Sequence, residues 1–215
     1  LKTTMQTQTL ILTVSTLAGI VGLTSCTTII SKLYGLKKFR IVDEKTIVHY
    51  SKKYNIPLAD SYKLDTSYKS FLFSFDTALY KVQRNNHYQP LQALYYDKTG
   101  QLLSFQTNCY AGGFPNLKWD RNGIFTTFPA RQQAPLDSMV PLDRQFKYLG
   151  LISQTQKFSS DNYDYLVIVY WSRFMGRQSK RLIRFIQNNS KLDTDKKVKI
   201  IYANTDNIFE TGEIK

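Results

Sequence analysis

The stretch Tyr165–Asn189, YLVIVYWSRFMGRQSKRLIRFIQNN, decides the fold of this 215-residue chain. Its first seven residues are apolar or aromatic throughout, which is typical of a strand covered on both faces. From Met175 or Gly176 to Asn188 the pattern becomes helical. The residues expected on the buried side of this helix are Ser179, Leu182, Ile183 and Ile186. A second apolar run, KVKIIYA, follows at 197–203. This order predicts a right-handed βαβ unit with a parallel strand pair.

A second unit precedes it in the chain. Residues Leu91–Tyr96 and Gln101–Thr107 are two extended runs joined by Asp97-Lys98-Thr99-Gly100. Such a turn needs a residue with positive φ, and Gly100 supplies one without steric cost. The pattern predicts a β-hairpin.

Four other segments give shorter predictions. Residues 42–54 predict a helix that is capped by Asp43 and ends before Pro57. The run at 68–75 fits a strand or a buried turn of helix equally well. Residues 112–141 are rich in Pro, Gly, Asn and Gln, which predicts an irregular surface excursion. Residues 142–152 predict a short helix.

The junction between the predicted strand and helix resembles the active site of the thioredoxin family. In that family an aromatic pair ends the central strand and Cys-Gly-Pro-Cys opens the helix. Tyr170 and Trp171 match the aromatic pair, and Phe174 matches the residue before the first cysteine. The four motif positions are then filled by Met175, Gly176, Arg177 and Gln178. The resemblance implies a thioredoxin-like α/β domain, with a central mixed sheet and flanking helices.

The hairpin adds to this resemblance, but in the wrong order. The family has a cis-proline that opens a hairpin, and Pro90 matches it as the candidate cis-proline. In thioredoxins this hairpin follows the active-site helix, whereas here it precedes it. Either the fold is circularly permuted or the likeness of the hairpin is accidental.

Thiol–disulfide exchange requires a thiolate to attack and a second thiol to resolve the mixed disulfide. The thioether of Met175 and the amide of Gln178 do neither, so the sequence predicts a domain without redox activity and without a cofactor. The alternative is a thiol oxidoreductase or peroxide-handling enzyme that uses Cys109 alone. Otherwise, Cys109 packs as a small apolar side chain.

Basic residues surround the vacated motif. They are Arg173, Arg177, Lys180, Arg181 and Arg184. Their spacing places Arg177, Arg181 and Arg184 on one face of the helix, and the helix N-terminus adds partial positive charge. One interpretation is a site for an anion or for the carboxylates of a partner. The other is an ordinary solvated basic face.

The N-terminus predicts a targeting signal. Lys2 precedes the apolar run Leu10–Leu23, which is short for a membrane-spanning helix. The run ends in Leu23-Thr24-Ser25-Cys26, which resembles the lipobox of bacterial lipoproteins. This resemblance implies a signal peptide at 1–25, acylation of Cys26, a tether at 26–41 and a single domain at 42–215. An ordinary cleaved signal or a short anchor is the alternative.

Composition narrows the function further. The net charge of +13 suits acidic partners, but the basic residues are dispersed and form no nucleic-acid-binding motif, so we expect no nucleic acid. His49 and His87 lack the spacing of metal ligands. The sequence therefore predicts a lipoprotein of the bacterial envelope, most simply on the outer membrane facing the periplasm. Its domain would bind a protein partner or serve as a structural subunit of a larger assembly.

Overall fold

The computed structural model describes residues 35–109, 118–152, 162–192 and 195–209. The predicted signal segment and Cys26 lie outside the described residues. The start of the predicted tether lies outside them as well.

Six strands form one mixed sheet. They are β1 (Ser61–Leu64), β2 (Gln92–Asp97), β3 (Leu102–Thr107), β4 (Leu149–Leu151), β5 (Tyr165–Trp171) and β6 (Val198–Asn204). Their order across the sheet is β3-β2-β5-β6-β1-β4. Strand β6 runs parallel to both of its neighbours, β5 and β1, while the outer pairs are antiparallel. Because β5 and β6 are interior strands, their backbone groups are paired on both sides.

Five α-helices occur in the described part of the chain. They are α1 (Glu44–Lys53), α2 (Ser67–Phe73), α3 (Thr77–His87), α4 (Leu142–Lys147) and α5 (Gly176–Asn189). Three short 3₁₀ segments lie at Leu58–Asp60, Arg121–Thr126 and Asp206–Phe209. Helix α1 begins where the sequence predicts, because the Asp43 carboxylate accepts a hydrogen bond of 2.8 Å from the Thr46 backbone N–H.

The predicted strand–helix–strand unit is confirmed. Strands β5 and β6 pair in parallel, with Val167 opposite Ile200, and α5 connects them. All four side chains predicted for the inner face of α5 are buried. The helical spacing of apolar residues therefore identifies correctly which face packs on the sheet.

Helices cover both faces of the sheet. On one face, the Tyr95 hydroxyl donates a hydrogen bond of 2.9 Å to Asn189 at the end of α5. On the opposite face, the Tyr170 ring stacks on Tyr68 of α2, and its hydroxyl donates to Gln145 of α4. Since successive side chains of a strand point to opposite faces, these contacts define three layers with the sheet in the middle.

The predicted hairpin is also confirmed. The Asp97 carboxylate accepts hydrogen bonds from the backbone N–H groups of Thr99 and Gln101, and Gly100 has a φ of 82°. Strand β2 then pairs with β5 in antiparallel fashion along its whole length. The hairpin is thus attached directly to the strand that leads into residues 175–178.

The structure resolves one open prediction and corrects another. The run at 68–75, which periodicity left open, lies mainly in α2. The helix predicted at 142–152 ends at Lys147, and its last part is strand β4 instead. The reason is that Leu149–Leu151 finds an open sheet edge at β1, with Leu151 opposite Tyr62.

The excursion predicted at 112–141 is irregular where it is described, and most of its described residues are exposed or half-buried, but it also places a few side chains in the core. Trp119 and Ala134 are fully buried. Buried side chains satisfy its irregular backbone: Asn189 donates to the carbonyls of Phe125 and Thr127, and Gln106 donates to that of Arg131. These hydrogen bonds offset the cost of burying parts of a loop, so the segment can contribute side chains to the core.

Candidate functional site

The candidate site lies at the carboxyl end of β5, where the chain turns into α5. Met175 occupies the N-cap position of α5 without a side-chain capping hydrogen bond. Met175, Gly176 and Gln178 are buried, and only Arg177 among the four vacated motif positions is exposed. The junction is therefore closed rather than open to a substrate.

The buried carboxylate of Asp206 lies against the turn between β5 and α5. Asp206 Oδ2 accepts a hydrogen bond of 2.6 Å from the Arg173 backbone N–H, and Oδ1 accepts one of 3.1 Å from that of Phe174. The Asn204 amide donates a third, at 2.8 Å. Asp206 is only 2% exposed. Burial raises the pKa of this carboxyl group above its ordinary value, although the donors and the Arg173 charge oppose that rise.

Residues 35–42 pack across the same turn and cover it. We call these residues the cover segment. The Lys37 backbone N–H donates a hydrogen bond of 2.8 Å to the Phe174 carbonyl, and the Arg173 guanidinium donates to the Lys38 carbonyl. The Phe39 ring packs on the Phe174 ring with centroids 4.1 Å apart. At the far end, Val42 and the Asn207 side chain exchange two hydrogen bonds. The cover segment is thus fixed at both ends.

Glycine is required at one point of this cover. Gly176 has a φ of 46°, in the region that L side chains rarely adopt, and a Cβ placed on it would lie 1.9 Å from the Gly35 carbonyl oxygen. No other residue fits there without moving the cover segment.

The predicted basic cluster does not converge on the junction. Arg173 is buried and holds the cover segment in place. The remaining four point to solvent from α5: Arg177, Lys180, Arg181 and Arg184. The carboxylate that lies at the junction is the chain's own Asp206, and the exposure of these four side chains agrees with the alternative of a solvated basic face.

The prediction of a cis-proline at Pro90 is wrong. In the described residues, the cis peptide bond is Phe128–Pro129. The position of Pro90 is nevertheless close to the junction, because its carbonyl accepts a hydrogen bond of 3.1 Å from the Thr205 hydroxyl. The Thr205 backbone N–H in turn donates to the Trp171 carbonyl. The Gln92 amide donates to the Gln89 carbonyl, which fixes the approach to β2 without a cis bond.

Cys109 lies just after β3 and is partly buried. Burial raises the pKa of its thiol, and a hydrogen bond of 3.3 Å from the Asn108 amide opposes this effect only partly. Both the burial and the raised pKa disfavour the thiolate, which is the form that attacks disulfides and peroxides.

The buried pair of His87 and Asp137 has no signal in the sequence. His87 Nε2 and Asp137 Oδ1 are 3.0 Å apart, and the imidazole stacks on Phe105. Burial raises the pKa of Asp137, but the hydrogen bond and charge of His87 outweigh burial and lower it overall. His87 is buried in the core. No local pattern signals the pair, because Asp137 lies fifty residues further on, in an irregular segment.

One depression in the described part of the chain lies far from the junction. It has a volume of about 390 Å³ and is lined in part by Lys98, Leu142 and Phe146. Its residue Asp97 is opposite Tyr165, at the first residue of β5, whereas the junction follows the last. The Asp97 carboxylate is engaged by the hairpin turn itself, so this depression offers little specific chemistry.

Comparisons with known proteins return nothing similar: no family model, curated protein or solved structure matches the chain. Within the described ranges, no group of His, Cys, Asp and Glu residues is arranged to hold a metal ion. No helix in that same part of the chain combines the length and apolar character that crossing a bilayer requires.

We expect Gly176→Ala to displace the cover segment and destabilise the domain. The positive φ alone costs about 1–2 kcal/mol, and the clash with the Gly35 carbonyl adds to it. Chemical denaturation and limited proteolysis within 35–42 would measure both effects. Gly150→Ala is the matched control, because its Cβ would meet the flexible Lys63 side chain at 3.4 Å and the Lys63 carbonyl oxygen at an ordinary contact distance of 3.8 Å. Equal stability of the two variants would contradict the packing at the junction.

We expect Asp206→Asn to lower the free energy of unfolding by about 1–3 kcal/mol. Both carboxylate oxygens accept from N–H donors, so either orientation of the asparagine amide places its NH₂ against a donor. The exposed Asp143→Asn serves as control and should change stability by less than about 0.5 kcal/mol. A neutral result at Asp206 would show that the carboxylate does not organise the junction.

We expect Cys109 to react slowly with iodoacetamide at neutral pH. Because burial raises its pKa, the thiolate fraction at pH 7 is smaller than that of a free thiol, and the rate should reach half its maximum at a pH above the free-thiol value. A Cys26→Ser variant isolates the Cys109 signal, and the same protein in denaturant gives the reference rate. Fast alkylation below pH 7 would instead favour the enzyme that uses Cys109.

Proposed function

We propose that this chain is a membrane-anchored envelope lipoprotein whose domain is a thioredoxin-like scaffold without redox activity. The domain acts as a binding or structural subunit of a larger assembly. The outer membrane, with the domain facing the periplasm, is its proposed location.

The sheet supports the scaffold part of this proposal. Strand β5, helix α5 and strand β6 have the order and direction that the family's central strand, active-site helix and following strand imply. The hairpin lies directly beside β5, and Pro90 lies near the end of β5, on the same side as the vacated motif. The hairpin still precedes β5 in the chain, so the proposed relationship includes a permuted order of elements.

The closed junction is the single observation that carries the loss of redox activity. Thiol exchange requires a sulfur atom that another protein's disulfide can approach in line. Here the first motif position is a buried methionine, the fourth is a buried glutamine, and the cover segment lies across both the junction and Phe174. A scaffold of this kind can hold a partner, but its helix N-terminus cannot exchange electrons with one.

The lipid anchor is tested directly by labelling. In bacteria that process lipoproteins, we expect the wild-type chain to incorporate labelled palmitate and to partition into the detergent phase of Triton X-114. Cys26→Ser should abolish both properties. Cys109→Ser is the matched control and should keep both, since it removes the only other cysteine. Label retained in Cys26→Ser, or absent from the wild type, would contradict the anchor.

The same membranes test the subunit role. Chemical crosslinking of the wild-type chain in intact envelopes should give a discrete species of higher mass that contains a second protein. A chain that stays monomeric at every crosslinker length would contradict the assembly, and this result would be independent of the labelling result.

A further inference from the structure

Exposed apolar side chains concentrate in two segments of the described chain. Seven of the nine exposed large apolar side chains fall in the cover segment or in the α2–α3 hairpin. They are Leu36, Phe39 and Ile41 in the first, and Phe73, Leu79, Tyr80 and Val82 in the second. Phe39 is 45% exposed and Ile41 62%. Such clustering marks an interaction surface rather than scattered exposure.

A row of aromatic rings joins the two segments. Phe39 contacts Phe174 with ring centroids 4.1 Å apart, and Phe174 contacts Phe209 at 5.8 Å. Phe209 then contacts Tyr88 at 4.9 Å, and Tyr88 contacts Phe73 at 5.2 Å. The row runs along the carboxyl end of β5 and β6 and supports the exposed rings from beneath. We use the name aromatic-basic surface for the exposed apolar residues Leu36, Phe39, Ile41 and Phe73 together with the basic residues Lys38, Arg40 and Arg84.

The charge of this surface is positive. The cover segment contains three basic residues and no acidic one. Lys38 and Arg40 are exposed and alternate with Phe39 and Ile41. Further along the row, the Arg84 guanidinium lies 4.8 Å above the Phe73 ring.

The acidic residues nearest in the chain are engaged within their own elements. Asp43 caps α1, and Asp76 caps α3 by accepting a hydrogen bond of 2.6 Å from the Ala78 N–H. Glu44 pairs with Lys63 at 2.5 Å. These three carboxylates therefore have partners other than Lys38 and Arg40.

The chain that precedes Gly35 carries the apolar run Leu10–Leu23 and Cys26. Nine residues lead from Cys26 to Gly35, and a fully extended chain of that length spans at most ~30 Å. An anchor at Cys26 therefore holds the aromatic-basic surface within a short distance of the bilayer. Aromatic and aliphatic side chains interleaved with Lys and Arg suit the headgroup region of a bilayer that contains anionic lipids.

We propose that the aromatic-basic surface docks on the anionic face of the lipid bilayer to which the chain is anchored. Ile41 and Phe39 enter the headgroup region, while Lys38 and Arg40 contact lipid phosphates. The docking rests on the proposed lipid anchor for its geometry. It orients the sheet with the carboxyl ends of β5 and β6 toward the membrane and leaves the hairpin turn at 97–100 facing away.

Hydrogen–deuterium exchange on vesicles tests the docking. The full lipidated chain is reconstituted in vesicles of phosphatidylcholine alone and in vesicles with 30% phosphatidylglycerol. We expect slower exchange at 35–42 and 67–88 only with phosphatidylglycerol, and no change at 97–101. Each basic residue near an anionic surface contributes about 1 kcal/mol, so Lys38→Gln/Arg40→Gln should lower the ratio of docked to undocked protein about 30-fold. Lys98→Gln/Lys196→Gln, with the same charge change at the opposite edge, should keep the protection.

Equal protection on both kinds of vesicle, or protection on neither, overturns the proposal; in the second case the surface belongs to a protein partner. Protection that persists in Lys38→Gln/Arg40→Gln overturns it as well. Circular dichroism checks that each variant is folded. Flotation on phosphatidylcholine vesicles reports the anchor separately, so a failed anchor and a failed docking surface give different results.

Discussion

The hydrogen bonds that Asp206 accepts from the backbone of Arg173 and Phe174 are the interaction on which this structure depends. They connect the end of β6 to the turn that leads from β5 into α5. The two central parallel strands are therefore linked by these hydrogen bonds as well as by the backbone hydrogen bonds between them. The side chain of the same Arg173 donates to the Lys38 carbonyl and holds the cover segment in place. A carboxylate that is buried as completely as that of Asp206 is unfavourable by itself. Backbone N–H donors and a neighbouring guanidinium make its burial possible.

Buried polar side chains also connect distant segments elsewhere in the molecule. Asn189 at the end of α5 donates to two carbonyls of the irregular segment, and Gln106 of β3 donates to a third. Gln145 joins the hydroxyls of Tyr96 and Tyr170 across the other face of the sheet. Amide side chains therefore attach segments that lie outside the sheet to the six-stranded sheet. This arrangement explains how a chain whose described cysteine is unpaired stabilises a large core with long irregular connections.

The parts of the fold that the sequence predicts are those governed by local rules. The bounds of β5 and α5 follow from periodicity, and the hairpin follows from the chemistry of Asp97 and Gly100, because each depends on neighbours in the chain. The parts that it does not predict depend on distant partners. Strand β4 forms because β1 offers an edge, and the junction is closed by Lys38, which lies 135 residues from Arg173. A single sequence carries no signal for contacts at that separation, so the basic residues leave an anion site and a solvated face both open, and the position of Asp206 at the junction has no signal in the sequence.

The position of the cover segment links the closed junction to the exposed surface beside it. A redox site must stay open to a partner's disulfide, and this requirement keeps the first turn of such a helix uncovered. Neither Met175 nor Gln178 carries a thiol that a disulfide would have to reach, so both are compatible with a cover, and Gly176 allows the Gly35 carbonyl to approach closely. On the outer side of the cover, Phe39 and Ile41 are exposed beside Lys38 and Arg40. The cover segment therefore closes the junction with one side and presents apolar and basic side chains to the surroundings with the other.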